Sequence, residues 1–188
     1  MNLTSILRIT PLLGAGFFLL QKPLAQNCHA QDKTSLSSQD KTFLNDAAES
    51  VRAEVDLSQL TTGRASKTRI MEFAQQMVRD HGLTYQQLQK LAQGLGYNLS
   101  DHLSAQQHAE KAKLAAISGS QFDHCYIQTQ VQDLRKEIVE FKREADEGED
   151  PQVQAFAEKT LPVLEAHLRL AESIYRDING QSAAAVGP

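Results

Sequence analysis

The sequence contains no tryptophan, few aromatic residues and only two cysteines among its 188 residues. It also has few β-branched runs, and no hairpin dipeptide joins two alternating segments, which argues against a β-sheet protein. One of the two cysteines, Cys28, lies in an N-terminal segment that we expect to be removed. The remaining cysteine, Cys125, then has no partner within the chain, so an intrachain disulfide is excluded.

Catalytic motifs are also missing. The sequence has no glycine-rich phosphate loop, no nucleophile elbow and no Cys-x-x-Cys, so we expect a protein that is not an enzyme. Without residues 1–30 the chain keeps 17 basic and 23 acidic residues, a net charge of −6 with histidine neutral. An acidic domain lacks the basic surface that nucleic-acid binding requires, which excludes that class of function.

The N-terminal segment has the pattern of a secretory signal peptide. Arg8 is followed by the uncharged run 9–21, which is shorter than the ~20 apolar residues of a membrane span. We expect a signal peptide over residues 1–30, cleaved after Ala30. Asn27 precedes Cys28, whereas a lipid-modified cysteine requires a small residue there. The prediction is a periplasmic or secreted domain with no membrane span in the mature chain.

Apolar residues recur at spacings of three and four nearly everywhere after residue 38, which predicts helices. The stripes and breaks indicate long helices at 39–62, 67–95, 121–147 and 151–178, and a short helix at 105–117. Ser66, Ser104, Ser120 and Asp150 are the predicted N-caps. Residues 31–38 are expected to be flexible, 39–178 to form the domain, and 179–188 to form a disordered tail.

The order of these helices predicts an all-α, ferritin-like four-helix bundle. Two hairpins are joined by a connection of roughly 25 residues, long enough to travel the length of a bundle and carrying a short helix. The segments VRDH (78–81) and VQDL (131–134) suggest matching positions in the two hairpins, with Leu134 in place of His81.

Three polar residues lie on stripes that should face the core: Glu54, His81 and His167. A buried ionisable group is costly unless it is paired, hydrogen-bonded or bound to a metal. Imidazole and carboxylate groups on facing helices are the usual ligands of transition metals in bundles. With Asp133, these residues form a candidate site for Fe, Mn, Cu or Zn.

A second interpretation needs no metal. Counting residues from the turns places Asp133 nearly level with His167, which it could orient by a hydrogen bond, and places His81 nearer to Glu49 than to Glu54. No Glu-x-x-His pair, the di-iron signature, occurs at either stripe position. The acidic row formed by Glu137, Glu140 and Glu144 could line a cation site, but its basic neighbours favour a solvated helix face.

Several short motifs together resemble those of a bacterial family of exported proteins, the domain-of-unknown-function family 4142, often labelled an outer membrane protein family. The motifs are Ala53-Glu54-Val55-Asp56-Leu57, Met77-Val78-Arg79-Asp80-His81, Phe122-Asp123 with Tyr126, Val131-Gln132-Asp133, and Leu161-Pro162-Val163-Leu164 with His167. The resemblance spans about residues 40–178 and implies export and a ferritin-like helical fold, but no activity. The family has a second Asp-His on the third long helix, where this chain has Asp133-Leu134.

Two functions therefore remain open on the sequence alone. One is a non-enzymatic exported bundle with a structural, stress-related or interaction role, acting as a homo-oligomer or with a protein partner. The other is a ferritin-like protein that binds a transition metal through Glu54, His81, Asp133 and His167.

Overall fold

The structure is a computed structural model that describes residues 35–100 and 102–184, with side chains as far as residue 180. Within these residues there are five helices: α1 (Ser38–Thr62), α2 (Thr68–Gly94), α3 (Ala105–Ala115), α4 (Gly119–Glu147) and α5 (Pro151–Ala184). Four long helices and one short helix in the connection agree with the prediction. The last helix is longer than predicted, because α5 continues to Ala184, beyond the expected end near residue 178. The predicted signal peptide and residues 185–188 lie outside the described residues.

Two of the predicted helix caps are present. The Ser104 side chain accepts a hydrogen bond from the backbone N–H of Gln107. The Gln107 side chain in turn accepts one from the backbone N–H of Ser104. Asp150 accepts the backbone N–H groups of Gln152 and Val153 at 2.8 and 3.2 Å. The other two predictions are wrong. Lys67, not Ser66, occupies the N-cap position of α2, without a side-chain cap, and Ser118, two residues before the predicted Ser120, occupies that of α4.

Two aspartates tie the hairpins together. Asp40, in the first turn of α1, accepts the backbone N–H groups of Glu149 and Asp150 in the α4–α5 turn at 3.0 and 3.3 Å. Asp123, in the first turns of α4, accepts the N–H groups of Ser66 and Lys67 in the α1–α2 turn, both at 3.0 Å. Each hairpin therefore supplies the carboxylate that satisfies the turn of the other, which requires α1 and α4 to run antiparallel.

The connection between the hairpins climbs along α1 from one end of the bundle to the other. Near the start of α1, Asn45 donates to the Tyr97 hydroxyl at 2.7 Å. Near its end, the Arg64 guanidinium donates to the carbonyls of Ala115 and Ile117 at 2.7 and 2.9 Å. The predicted crossover is confirmed, and it places α3 against α1 and α4.

An internal twofold relationship follows from these ties. Asp40 and Asp123 are 83 positions apart, and the same offset separates the first residues of α2 and α5. α1 therefore corresponds to α4, and α2 to α5. The interpretation of VRDH and VQDL as matching positions is wrong, because they lie on α2 and α4, which are not equivalent.

The apolar stripes form one core between the four long helices. Aromatic pairs lie towards its two ends: the rings of Phe43 and Phe141 are 4.9 Å apart, and those of Phe73 and Tyr126 are 6.2 Å apart. Between these pairs, at mid-height of the bundle, the interior is polar.

Candidate metal centre

Three fully buried ionisable side chains meet at the middle of the bundle. They are Glu54 on α1, His81 on α2 and Glu137 on α4, which are 2, 1 and 2% exposed. Each offers one ligand atom, and these three atoms lie within 4.8 Å of one another. Two carboxylates and one imidazole from three different helices therefore converge on a space that a single ion can occupy.

The lean of helical side chains explains how Glu54 reaches His81. Side chains tilt towards the N-terminus of their own helix, and α1 and α2 run in opposite directions. His81 therefore leans towards the turn that joins the two helices, while Glu54 leans away from it, so the two side chains converge. The expectation that His81 is nearer to Glu49 is wrong, because residue counting ignores this tilt.

The contact between Glu54 and His81 is short, but its polar atoms are not satisfied. The Nδ1 atom of His81 lies 2.7 Å from Oε2 of Glu54, yet the two do not meet in hydrogen-bonding geometry. No N–H or hydroxyl group among the described residues donates to a carboxylate oxygen of Glu54 or Glu137, and this nitrogen has no hydrogen-bond partner there either. The two glutamates can hydrogen-bond to each other when one of them holds a proton. Unpaired buried polar atoms are rare and costly in native proteins.

Behind His81, a hydrogen-bonded chain leads to the protein surface. Its Nε2 atom lies 3.1 Å from Nδ1 of His167, and Nε2 of His167 lies 2.9 Å from Oδ2 of the half-exposed Asp80. A carboxylate only accepts, so the neutral His167 carries its proton on Nε2 and accepts at Nδ1. His81 must then donate from Nε2, which turns the lone pair of its Nδ1 towards the two glutamates.

Burial dominates the electrostatics of the centre. It raises the pKa of Glu54 well above its ordinary value, and the charge of Asp133 raises it further. Burial likewise raises the pKa of Glu137, followed by the charge of Glu54. For the imidazoles the direction is opposite, since burial lowers the pKa of both His81 and His167. The centre thus holds neutral imidazoles beside carboxyl groups that resist ionisation unless a cation is present.

The structure brings together some of the sequence-predicted residues and separates others. Glu54 and His81 share the centre, whereas His167 stands behind His81 and points its second nitrogen at Asp80. The expectation that Asp133 orients His167 is wrong, because Asp80 does so. Asp133 lies beside the centre and lines a cavity that reaches it.

Glu137 is a ligand candidate for which the sequence pattern favoured a solvated position over a cation site. A solvated face was the wrong interpretation for Glu137 and Glu144, which are 2 and 0% exposed, while Glu140 is half-buried. Two signals could have identified Glu137. It lies three residues after Leu134 and four before Phe141, at stripe spacing, and it is 83 positions after Glu54.

The chain belongs to a family of domains of unknown function, DUF4142, whose sequence profile matches residues 25–174. This match confirms the family resemblance drawn from the motifs. No curated protein matches the sequence.

Solved structures of another family are similar in fold. A DUF305 fragment from Deinococcus radiodurans superposes with a TM-score of 0.68 at 13% identity, over 76% of this chain and 98% of that one. A DUF305 protein from Streptomyces coelicolor, described as presumed to be secreted, gives a TM-score of 0.65 at 15% identity, over 75% of this chain and 92% of that one. At these identities the likeness shows the all-α bundle alone.

None of the helices within residues 35–100 and 102–184 is both long enough and apolar enough to cross a membrane.

Proposed function

We propose that this protein binds one divalent transition-metal ion at Glu54, His81 and Glu137. One observation carries the proposal: the Nδ1 lone pair of His81 and the carboxylates of two glutamates converge in the core, and no N–H or hydroxyl group of the described residues donates to them. Such an arrangement of acceptors is repulsive unless a cation lies between them. In the metal-free protein, the glutamates retain their protons, which removes the repulsion.

The charge and the ligand types select the class of ion. Two ionised carboxylates and a neutral imidazole carry a charge of −2, which a divalent cation neutralises within the low-dielectric core. Carboxylates suit manganese, and imidazole suits zinc and iron. We therefore expect Mn(II), Fe(II) or Zn(II), with water completing the coordination shell, in preference to Ca(II), which takes six to eight oxygen ligands.

His167 and Asp80 support the centre without binding the ion. Metal-bound histidines commonly donate their second ring N–H to a hydrogen-bonding partner, and this fixes both the tautomer and the ring orientation. Here His81 donates to His167, which in turn donates to Asp80. We assign His167 and Asp80 as positioning residues.

We also propose that the mature chain acts outside the cytoplasm. The support is the N-terminal pattern, with Arg8, an uncharged run and small residues before the expected cleavage site at Ala30. N-terminal sequencing of the protein recovered from the exported fraction tests this, with residue 31 as the expected first residue. An uncleaved chain retained in the cytoplasm would overturn the assignment.

Metal binding is tested by elemental analysis of the exported protein after incubation with Mn(II), Fe(II) or Zn(II). We expect one ion per chain and a rise in melting temperature with ion concentration, because an ion that binds only the folded state stabilises it. Fewer than one ion per ten chains with every metal would refute the proposal. A structural or interaction role of the bundle would then be the better account.

Single variants assign the ligands. Glu54→Gln, His81→Ala and Glu137→Gln should each lose the ion, whereas Glu158→Gln, on the exposed side of α5, should retain it. Retention of the ion by all three variants would place any binding elsewhere on the protein.

A further inference from the structure

A cavity of about 260 Å³ opens beside the buried centre. Its walls come from α1, from α4 and from the connection that includes α3. Glu54 and Glu137 line this cavity, whereas His81 does not. An ion that arrives through the cavity therefore meets the two carboxylates first, and the imidazole lies behind them.

The cavity is acidic. Four further carboxylates line it besides the two glutamates of the centre: Glu49, Asp56, Glu110 and Asp133. Lys111 and Lys136 are its two basic residues, and Lys111 is paired with Asp56 at 2.8 Å. A concave site in which one sign of charge dominates raises the local concentration of the opposite ion.

Its size suits a hydrated ion. A water molecule occupies about 30 Å³ in the liquid, so six waters around an ion need roughly 180 Å³. The total volume of the cavity, about 260 Å³, therefore exceeds that of a hydrated divalent ion, which must exchange part of its hydration shell for the buried ligands.

Asp133 is placed to receive that ion. It lies four residues before Glu137 on α4, which puts both side chains on the same face of the helix. It is only half-buried, whereas Glu137 is buried. The low polarity around Asp133 is reflected in its pKa, which burial raises to about 6.

The connection forms the outer wall and is fixed to α1 by polar contacts. The amide of Ser104 donates to the Glu49 carboxylate at 3.2 Å, and Lys111 on α3 donates to Asp56 at 2.8 Å. The wall thus stands at a defined distance from α1, and the cavity remains between them.

We infer that this cavity is the route by which a divalent cation reaches the centre, and that Asp133 is the positioning residue that passes the ion from solvent to Glu54 and Glu137. The inference rests on the proposed metal binding and assigns a new role to the cavity. Asp133 acts on the path of the ion and is not a ligand of the final site.

Stopped-flow mixing of the full mature protein with Co(II), whose visible absorption reports coordination, tests this. Asp133→Asn should slow association about tenfold, as expected when a steering charge is lost. A steering charge acts mainly on entry, so dissociation should change less than threefold and Kd should rise by about the factor by which association slows. Association should also depend less on ionic strength than in the unchanged protein.

Two more variants complete the experiment. Ala53→Leu narrows the cavity without altering its charge, and should slow association without weakening Kd. Asp146→Asn, an exposed residue on the same helix, should leave both rates unchanged.

Three results have distinct meanings. Unchanged association in both Asp133→Asn and Ala53→Leu would overturn the route. Dissociation more than about threefold faster in Asp133→Asn would identify Asp133 as a ligand and overturn its role on the path. Absence of Co(II) binding to the unchanged protein at equilibrium would refute the metal centre itself, and the route with it.

Discussion

Glu54 and Glu137 occupy equivalent positions in the two hairpins, 83 residues apart, although they meet at one point in the core. The imidazole does not share this symmetry, because the residue 83 positions after His81 is Leu164. The framework thus presents two related carboxylates from α1 and α4, and a single imidazole from α2. An ion bound by all three ligands lies off the internal twofold axis, on the side of α2.

Asp80→Asn should weaken metal binding although Asp80 does not reach the centre. An asparagine can donate to Nε2 of His167, which would move the proton of His167 to Nδ1 and oblige His81 to accept at Nε2. The proton of His81 would then lie on Nδ1, where the ion must bind. We expect Kd to rise about 10- to 100-fold, the usual effect of losing such a partner.

Titration with Zn(II) against a competing chelator measures the change in Kd. Asp146→Asn is the matched control. Equal Kd values for Asp80→Asn and the unchanged protein would show that the hydrogen-bonded chain does not set the tautomer of His81.

Glu137→Met should make the metal-free protein more stable. The substitution replaces a buried carboxyl group, to which no N–H or hydroxyl group of the described residues donates, by an apolar side chain of similar length. Replacing buried ionic groups by apolar ones of similar volume often stabilises a protein by about 1–4 kcal/mol. Urea unfolding in the presence of a chelator gives the free energy.

When metal is added, the unchanged protein should become more stable than Glu137→Met, since only the unchanged protein gains stability from binding. Glu158→Met, at an exposed position, should behave like the unchanged protein in both conditions. If Glu137→Met is less stable than the unchanged protein in the presence of the chelator, Glu137 stabilises the fold and is not a metal ligand.

Asp123→Ala should destabilise the bundle strongly. It removes the acceptor of the Ser66 and Lys67 N–H groups and of the Ser66 hydroxyl. Ser66 is exposed and Lys67 is half-buried, so water can replace part of these hydrogen bonds. We expect a loss on the order of 1–3 kcal/mol in urea unfolding, within the range for hydrogen bonds to a charged group. Asp146→Ala, at an exposed site, should change stability by less than about 0.5 kcal/mol. If the two variants lowered the free energy of unfolding equally, the contact of Asp123 with the α1–α2 turn would not stabilise the fold.

Stability should fall as pH rises from about 4.5 to 7 because of Glu144. Burial and the hydrogen bond with Asp40 raise the pKa of this carboxyl group from 4.5 to about 7, so the folded state holds a proton that the unfolded state has released. Its contribution is complete below pH 4.5 and is lost as pH rises through 7. Glu144→Gln cannot titrate, and should remove this part of the pH dependence.

Melting temperatures at pH 5 and pH 8 measure this effect. The gain of Glu144→Gln over the unchanged protein should be larger at pH 8 than at pH 5, by a few degrees, which corresponds to about 1 kcal/mol. Glu147→Gln, an exposed neighbour, provides the control. A constant difference between Glu144→Gln and the unchanged protein at both pH values would contradict the shifted pKa.

The helices could be predicted because periodicity is a local property of the chain. Stripe spacing, the Ser104 cap and Pro151 at the start of α5 are each contained within a few residues. The end of α5 was missed because the run Asn179-Gly180 is a typical helix stop, yet Ile178 is buried and Oδ1 of Asn179 accepts a hydrogen bond from Nε2 of His124 at 3.0 Å. Tertiary contacts there outweigh the local signal.

The centre could be predicted only in part, since it depends on the register between helices. Periodicity places Glu54, His81 and His167 inside, but it cannot decide which of them meet. Asp80 was missed as a partner because neighbours on a helix point about 100° apart, and its contact with His167 requires the packing of α2 on α5. Glu137 was assigned to the surface because charged neighbours outweighed its stripe position.

The exchange of turn contacts between the hairpins also bears on how the chain acquires its structure. A ribosome delivers Asp40 long before Glu149 and Asp150, and delivers Ser66 and Lys67 before Asp123. The hydrogen bonds of neither turn can therefore form while only the first hairpin has been synthesised, because each turn is bonded to a residue of the other hairpin. Both ties become possible only once α4 and the α4–α5 turn have been synthesised, and the three ligand candidates on α1, α2 and α4 cannot meet before α4 is present.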